Sequence, residues 1–166
     1  IVERFRDHYN LADDARILDG GCAKGFMLHD VLQVMPNATV AGIDISEYAI
    51  EHAMPSVKPF LTVGSADALP YDDDAFDFVA SINTIHNLPR EQCRQALREI
   101  ERVKKPGGCA FVTVDAWRNE VERERLMKWM LTAYTYMSVM SGLGFLRKRG
   151  IRGIVIGLLR EARRGT

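Results

Sequence analysis

The chain has 166 residues, a length that fits one domain with a sizeable hydrophobic core. Hydrophobic residues make up 47% and charged residues 27% of the sequence, which is ordinary for a soluble globular protein. The net charge is zero, but residues 147–166 carry seven Lys or Arg against one acid, so this tail is +6 and the rest is −6. The acidic body argues against a nucleic-acid groove on it.

The cysteine content predicts a reducing compartment. Cys22, Cys93 and Cys109 lack metal-binding spacing and are an odd number for disulfides, so we expect reduced thiols and a cytoplasmic protein. No stretch is long and apolar enough to span a bilayer, and no signal peptide is visible, so no membrane partner is predicted. The chain begins with Ile1, and we expect that residues precede it.

A helix, a strand and a glycine-rich turn open the chain. Residues 1–9 carry apolar side chains at helical spacing and predict a helix. Residues 16–18 are typical of the end of a buried strand, and three glycines follow within residues 20–25. Glycines let a ligand approach the main chain without a Cβ in the way. Residues 24–35 predict an amphipathic helix with its free N–H groups directed at this turn, so the turn is predicted to hold a ligand.

Two acids mark the ends of neighbouring strands. A second strand is predicted over residues 38–44, and Asp44 lies 25 residues after Asp19, about one strand–helix–strand unit. Both acids are therefore predicted at the carboxyl ends of adjacent parallel strands, where open α/β sheets bind ligands. A carboxylate at Asp44 can accept two hydrogen bonds from a ribose diol. The alternative is that Asp44 only caps the next helix, for which Ser46 is the predicted N-cap.

The remaining pattern alternates strands with helices. The predicted elements are a strand over 58–63, a strand over 76–82, a helix over 90–103, a turn over 105–108, a strand over 109–115 and a helix over 120–137. Three aspartates at 72–74 predict a solvated loop and no metal site, because consecutive residues cannot all point at one ion. The alternation predicts an α/β fold with a doubly wound, mostly parallel sheet.

Five segments, in order along residues 14–118, resemble the motifs of the class I S-adenosylmethionine-dependent methyltransferases. The first, D-x-G-x-G-x-G, is matched by Asp19, Gly21 and Gly25, with Ala23 in place of its middle glycine. The other four are Asp44, the A-D-A-L-P stretch around Asp67, residues 81–86 and the turn at 105–108. The resemblance implies a Rossmann-like fold and S-adenosylmethionine as the cofactor.

The resemblance also implies which residues bind this cofactor. Asp19 and Gly21 would contact the methionine moiety, Asp44 the ribose and Asp67 the adenine amino group, with Ile45 against the adenine face. A loop aspartate that forms its own turn is the alternative for Asp67. The other cofactor-binding residues predicted flank these positions or end the fourth strand: Gly20, Cys22, Gly25, Ala66, Ala68, Ser81, Ile82 and Asn83.

His86 is the histidine that the resemblance places near the sulfonium. Methyl transfer displaces sulfur from an activated carbon, so the protein chiefly aligns the nucleophile and removes one proton. An imidazole with a pKa of about 6.5 can remove that proton at neutral pH, which makes His86 the predicted catalytic residue. The alternative is a structural hydrogen-bonding histidine at a strand-to-helix junction.

The resemblance stops near residue 139. The family continues with a helix and a β-hairpin, whereas residues 140–166 hold six of the thirteen glycines and an excess of arginine. We predict a methyltransferase-like domain over 1–139 and an atypical basic tail over 140–166. The tail either adds a strand or helix to the domain or leaves the sheet without its usual hairpin. A reading-frame shift near residue 139 is our hypothesis for the change, and an uncovered sheet edge or the tail would favour a homodimer.

These observations predict S-adenosylmethionine-dependent methyl transfer to a small or medium-sized acceptor that the residues do not identify. One alternative is a module that binds the cofactor without catalysis, as in a truncated or frame-shifted methyltransferase, given Ala23 and the altered tail. A second is a nicotinamide-dependent oxidoreductase, which would share the fold, but the turn lacks the G-x-G-x-x-G register of such enzymes.

Overall fold

A computed structural model describes residues 1–129, 134–135 and 137–138, and its central feature is a five-stranded parallel sheet. The strands are β1 (Arg16–Gly20), β2 (Thr39–Asp44), β3 (Leu61–Val63), β4 (Phe76–Ile82) and β5 (Lys104–Thr113). They lie side by side in the order β3-β2-β1-β4-β5, with every neighbouring pair parallel. The order reverses direction at β1, which makes the sheet doubly wound, so the predicted fold class is confirmed.

Helices cover both faces of this sheet. They are α1 (Val2–Tyr9), α2 (Phe26–Val34), α3 (Glu47–Glu51), α4 (Arg90–Val103) and α5 (Glu120–Trp129). Successive strand residues point to opposite faces, so Ile17 of β1 packs with α1 and α2, while Leu18 packs with the apolar stripe of α4. Phe78 and Val79 of β4 divide in the same way. The buried apolar residues thus form two clusters, one on each face of the sheet, and this packing holds the strand ends in fixed positions.

Local sequence signals explain several helix ends. Gly25 precedes α2 with a φ of +77°, a left-handed conformation that glycine adopts without strain. The Ser46 side chain accepts a hydrogen bond from the backbone N–H of Ala49 over 3.1 Å and caps α3 as predicted. Both caps lie directly after strands and direct helix N-termini toward the carboxyl edge of the sheet.

Strand β5 begins earlier than predicted. The sequence predicted a turn over 105–108, but pairing with β4 runs from Phe76 with Lys104 to Phe78 with Cys109, so the extra residues form an irregularity within the strand. The Lys105 ammonium contacts both carboxylate oxygens of Asp77 at 2.8 and 2.9 Å and holds this irregularity against β4.

Two predicted elements are wrong in part. The strand predicted over 58–63 starts at Leu61, because Lys58–Phe60 is a short 3-10 turn that contains a proline. The helix predicted over 120–137 is helical over Glu120–Trp129, whereas β7 (Met137–Ser138) pairs in parallel with β6 (Ala116–Trp117). The apolar residues at helical spacing over 120–137 also predict a side of the helix that faces the core or a pocket, but Val121, Met127 and Tyr134 are exposed, and Leu126 is buried among the described residues of α5.

Several predictions on the C-terminal part lie outside the described residues. These are the basic tail over 140–166, its boundary with the domain, the missing hairpin and the frame shift. Within the described part, β5 pairs with β4 alone, so a homodimer through this edge stays a prediction. In the part of the chain that the structure describes, no helix is both long and apolar enough to cross a membrane.

Candidate active site

A cavity of about 400 Å³ opens at the carboxyl ends of β1, β2, β3 and β4. We call it the carboxyl-end cavity. Its volume lies within the range of small-molecule sites, and its place in the fold is where open α/β sheets bind ligands. It is lined by Gly21, Ala23, Ile43, Asp44, Ile45, Gly64, Ser65, Ala66, Ile82, Asn83, Thr84, Asn87 and Leu88.

Asp44 is held rigidly at the wall of this cavity. Its Oδ2 accepts a hydrogen bond from the backbone N–H of Ala23 over 2.8 Å, and its Oδ1 accepts one from the N–H of Ser46 over 2.9 Å. A carboxylate has about four acceptor positions, so each oxygen keeps one for a ligand. Asp44 therefore binds the backbone of the turn and of the residue that caps α3, and it still faces the cavity with acceptor capacity.

The glycine-rich turn lies against β2 and β4. The N–H groups of Gly21 and Cys22 both point to the carbonyl oxygen of Ile43, at 2.7 and 3.1 Å. Gly21 has a φ of +96°, and a Cβ placed on it would lie 2.0 Å from Oγ1 of Thr84. Only glycine fits this position, because a methyl group would meet both backbone strain and the Thr84 side chain.

Ala23, at the position of the middle glycine of the motif, has a backbone conformation that favours glycine. Its φ is +47°, in the left-handed region that residues with a Cβ rarely adopt at a cost of about 1–2 kcal/mol. The hydrogen bond to Asp44 holds its N–H in this orientation. The backbone of the turn thus keeps a conformation typical of glycine, and Ala23 forms part of the cavity wall.

Ile45 offers an apolar surface at the rim. Its side chain is 75% exposed, although it follows a buried strand and lines the cavity. On the β3 side the wall consists of Gly64, Ser65 and Ala66, and we call these three residues the β3 wall. A flat aromatic ligand between Ile45 and the β3 wall would cover this exposed surface.

Asp19 lies beneath the turn and does not line the cavity. It is 5% exposed, and burial raises its pKa to about 7, with repulsion from the nearby Asp44 carboxylate as the second cause. Three other predicted residues are also buried outside the lining. Gly20 ends β1, Cys22 has a thiol whose pKa burial raises to about 12, and Gly25 precedes α2.

Asp67 and Ala68 lie just beyond the β3 wall. Neither lines the cavity, whereas their neighbour Ala66 does. One carboxylate oxygen of Asp67 accepts a short hydrogen bond from the Ser65 hydroxyl. This bond joins two side chains, so it is neither the backbone turn given as the alternative for Asp67 nor a ligand contact, and contact with an adenine amino group stays a prediction.

The end of β4 contributes Ile82 and Asn83 to the cavity, while Ser81 is fully buried behind them. Asn83 has a φ of +53° and is fixed to β5: Oγ1 of Thr113 accepts from its N–H and donates to its Oδ1, both over 2.9 Å. The Ser81 hydroxyl has no hydrogen-bond partner among residues 1–129 and the other described positions.

His86 is not brought to the cavity. It is 3% exposed, its Nε2 lies 3.5 Å from Oδ2 of Asp115, and its carbonyl oxygen accepts hydrogen bonds from the N–H groups of Tyr134 and Thr135. Burial lowers the pKa of His86, and the Asp115 carboxylate opposes this shift. The imidazole Nδ1 has no hydrogen-bond partner among the described residues, so the contacts do not establish the hydrogen-bonding alternative either, and the catalytic role of His86 stays a prediction.

Sequence reasoning missed seven lining residues, of which Thr84 matters most because it covers Gly21. The others are Ala23, Ile43, Gly64, Ser65, Asn87 and Leu88. Gly64 and Ser65 directly follow a predicted strand and Ile43 lies at the end of one, and this position could have marked these three. Among the described residues that line the cavity, Asp44 is the one with an ionisable side chain.

A larger cavity of about 620 Å³ lies at the opposite edge of the sheet, the amino ends of β1, β4 and β5. We call it the amino-end cavity. Its wall includes Arg16, Lys105 and Asp77, but the Asp77 carboxylate is already bonded to the Lys105 ammonium and to the Arg16 N–H. Ligand sites of parallel α/β sheets lie at the carboxyl edge, so size does not make this cavity the site.

Comparison with known proteins agrees with this geometry. Residues 17–108, more than half of the chain, match the family described as methyltransferase domain. A tRNA (carboxymethyluridine(34)-5-O)-methyltransferase of Arabidopsis thaliana is 34% identical over 137 residues, which are 81% of this chain and 32% of that protein. A demethylmenaquinone methyltransferase of Symbiobacterium thermophilum is 36% identical over 120 residues, 66% of this chain and 45% of that protein.

A solved structure shows the same fold. The YcgJ protein of Bacillus subtilis superposes with a TM-score of 0.71 at 19% identity, over 89% of this chain and 66% of that one. The chain spans less than half the length of the two curated relatives. The motif order, the fold and the family match lead to one conclusion: the chain belongs to the methyltransferase domain family, with the features of class I S-adenosylmethionine-dependent methyltransferases.

Proposed function

We propose that this chain binds S-adenosylmethionine in the carboxyl-end cavity and serves methyl transfer to a small or medium-sized organic acceptor. The observation that carries the proposal is Asp44, whose two oxygens are fixed by the N–H groups of Ala23 and Ser46 while the residue lines the cavity. A rigid carboxylate with two free acceptor positions fits the two hydroxyls of a ribose.

The surrounding residues fit the other parts of such a nucleoside. Ile45 supplies an exposed apolar surface for the base, opposite the β3 wall. Gly21 lines the cavity, and Asp19 lies below it as a buried acid for the cationic amino group. A bound sulfonium cofactor supplies a methyl group that is already activated, so these residues need only hold and align the reactants.

A small acceptor is favoured by charge. Residues 1–146 carry a net charge of −6, which disfavours a polyanionic acceptor at the body of the protein. The relative from Symbiobacterium thermophilum is named for demethylmenaquinone, a small molecule, and the Arabidopsis thaliana relative is named for tRNA. We propose that the acceptor of this chain is a small molecule and not a tRNA.

Calorimetric titration tests the cofactor. We expect S-adenosylhomocysteine to bind and NADH not to bind. Asp44→Asn should weaken binding by about 10- to 100-fold, because hydrogen bonds to a charged group contribute about 1.5–3 kcal/mol. Asp30→Asn is the matched control on the exposed part of α2 and should leave the affinity unchanged. Binding of NADH instead would favour the oxidoreductase alternative, and binding of neither ligand would refute the proposal.

One observation favours a second candidate, a module that binds the cofactor without catalysis. Asp44 is the one ionisable side chain in the cavity lining that the structure describes, and His86 is buried elsewhere. Incubation with S-adenosylmethionine labelled in its methyl group and a panel of phenols, amines and thiols separates the two. Labelled product identifies an enzyme, whereas cofactor affinity without labelled product favours the module.

A further inference from the structure

We propose that Arg102, on α4 and outside the carboxyl-end cavity, positions the β3 wall and thereby determines how tightly the adenine side of a ligand is held. The inference rests on the proposed function, because it takes S-adenosylmethionine as the ligand. Arg102 is a positioning residue here, since it does not line the cavity.

The β3 wall needs support from outside the sheet. It belongs to residues 64–75, which contain no helix or strand, and it follows β3, a strand of three residues at the edge of the sheet. The N–H of Gly64 donates to the carbonyl oxygen of Asp44 over 2.9 Å and fixes the beginning of this segment. Among the described contacts, the far part of this segment is held by α4.

Arg102 uses all five N–H donors of its guanidinium to bind residues of this segment and the side chain of Glu99. Nη2 donates to the carbonyl oxygen of Leu69 over 3.0 Å, and Nη1 donates to the carbonyl oxygen of Tyr71 over 2.8 Å. Nη1 also bonds Asp73, and Nε and Nη2 form a two-bond pair with Glu99 at 2.9 and 2.7 Å. A guanidinium carries five donors in a rigid fork, so this geometry is specific to arginine.

Glu99 completes the clamp from the same helix. Its Oε2 accepts the N–H of Leu69 over 2.9 Å, so α4 binds both backbone groups of this one residue. The Glu99 side chain is 12% exposed and the Arg102 side chain 31%, so the pair is partly shielded from solvent. Leu69 and Ala66 pack in one buried cluster with Ile100 of α4. The polar clamp and this apolar contact hold the segment only three residues from the β3 wall.

The test compares variants of Arg102 with a control on the same helix. Arg102→Ala removes the clamp, and Arg102→Lys keeps the charge but has three donors in place of five. Arg98→Ala is the control, because Arg98 is exposed and bonds only Gln95 of its own helix among the contacts described. Glu99→Gln is a milder second variant. If Arg102→Ala fails to fold, this variant tests whether the clamp positions the β3 wall.

Two titrations are made with each variant, one with S-adenosylhomocysteine and one with S-inosylhomocysteine, which lacks the adenine amino group. We expect the unsubstituted chain to prefer the adenine ligand by about tenfold, the worth of one hydrogen bond. Arg102→Ala and Arg102→Lys should reduce this ratio to about two- to threefold, and Arg98→Ala should leave it unchanged. A general loss of stability would weaken both ligands equally and would not change the ratio.

Hydrogen exchange without ligand gives an independent measurement. We expect the amide of Leu69 to exchange about tenfold faster in both Arg102 variants than in Arg98→Ala, because its carbonyl and its Glu99 partner lose their support. An unchanged ratio of affinities in both Arg102 variants overturns the inference. No binding to the unsubstituted chain would instead refute the proposed function, and the exchange rates would still report whether the clamp exists.

Discussion

The backbone N–H of Ala23 donates a 2.8 Å hydrogen bond to Oδ2 of Asp44, and this bond joins the glycine-rich turn to the end of β2. The two residues belong to different motifs in the sequence. In the structure, Asp44 orients the very residue at which the turn departs from the family pattern. The substitution of glycine by alanine therefore leaves the cavity open rather than filling it.

Replacement of Ala23 by glycine should stabilise the fold. The φ of +47° costs alanine about 1–2 kcal/mol in the folded chain, and glycine would be free of this strain. Against this, a glycine makes the unfolded chain more flexible, which lowers the free energy of unfolding by about 0.5–1 kcal/mol. We expect Ala23→Gly to raise the free energy of unfolding in urea by about 0.5–1 kcal/mol. Ala12→Gly, in an exposed loop without a positive φ, should lower it by about as much. Equal destabilisation by both changes would contradict the strained geometry.

Gly21 should tolerate no side chain. In Gly21→Ala the new methyl group meets Oγ1 of Thr84 at 2.0 Å as well as a φ of +96°. We expect urea unfolding to show a loss of about 2–4 kcal/mol, the sum of backbone strain and overpacking. Gly107→Ala is the control, because Gly107 has a φ of +79° but nothing within 4 Å of the added group. It should lose only about 1 kcal/mol, and a similar loss at both positions would exclude the Thr84 contact.

Asp19 should make stability depend on pH. Its pKa is raised from 3.8 to about 7, so the folded chain binds the proton more tightly than the unfolded chain does. Asp19 therefore contributes at most about 2–4 kcal/mol to the free energy of unfolding. This contribution is full below pH 4 and is lost as the pH rises through about 7. Urea titrations of the chain and of Asp19→Asn should therefore differ by an amount that changes between pH 4 and 7. A constant difference would show that Asp19 titrates normally.

His86 should matter for stability and not for cofactor binding. It is buried between Asp115 and the Tyr134–Thr135 contacts, so His86→Gln should lower the free energy of unfolding by about 1–3 kcal/mol. Its affinity for S-adenosylhomocysteine, measured by calorimetry below the unfolding transition, should stay within about twofold. A tenfold loss of affinity in the folded variant would place His86 at the cavity after all.

The sequence was sufficient for the sheet and for the position of Asp44, but not for the packing around that residue. Asp44 could be predicted because a β-branched run closed by a carboxylate is a local pattern, and its spacing from Asp19 reflects one strand–helix–strand unit. The position of Thr84 could not be predicted, because its place over Gly21 depends on the left-handed Asn83 and on the hydroxyl of Thr113 in another strand.

His86 and the C-terminal helix show the same limit. The resemblance covered residues 81–86 at the end of the fourth strand, but the 3-10 turn Ile85–Asn87 directs His86 into the core rather than toward the cavity. Met137 ended the helical pattern in the sequence, yet Met137–Ser138 pairs with Ala116–Trp117, and such a partner distant in sequence leaves no local signal.

Mapping of S-adenosylhomocysteine by backbone amide NMR shifts tests the central claim most directly, because the fold offers two cavities at opposite edges of the sheet. We predict that the largest shifts fall on the amides of Gly21, Ala23, Ile45 and Ser65, around the carboxyl-end cavity. Shifts confined to Leu11, Arg16 and Gly107 at the amino-end cavity, or no shifts at millimolar ligand, would contradict the account.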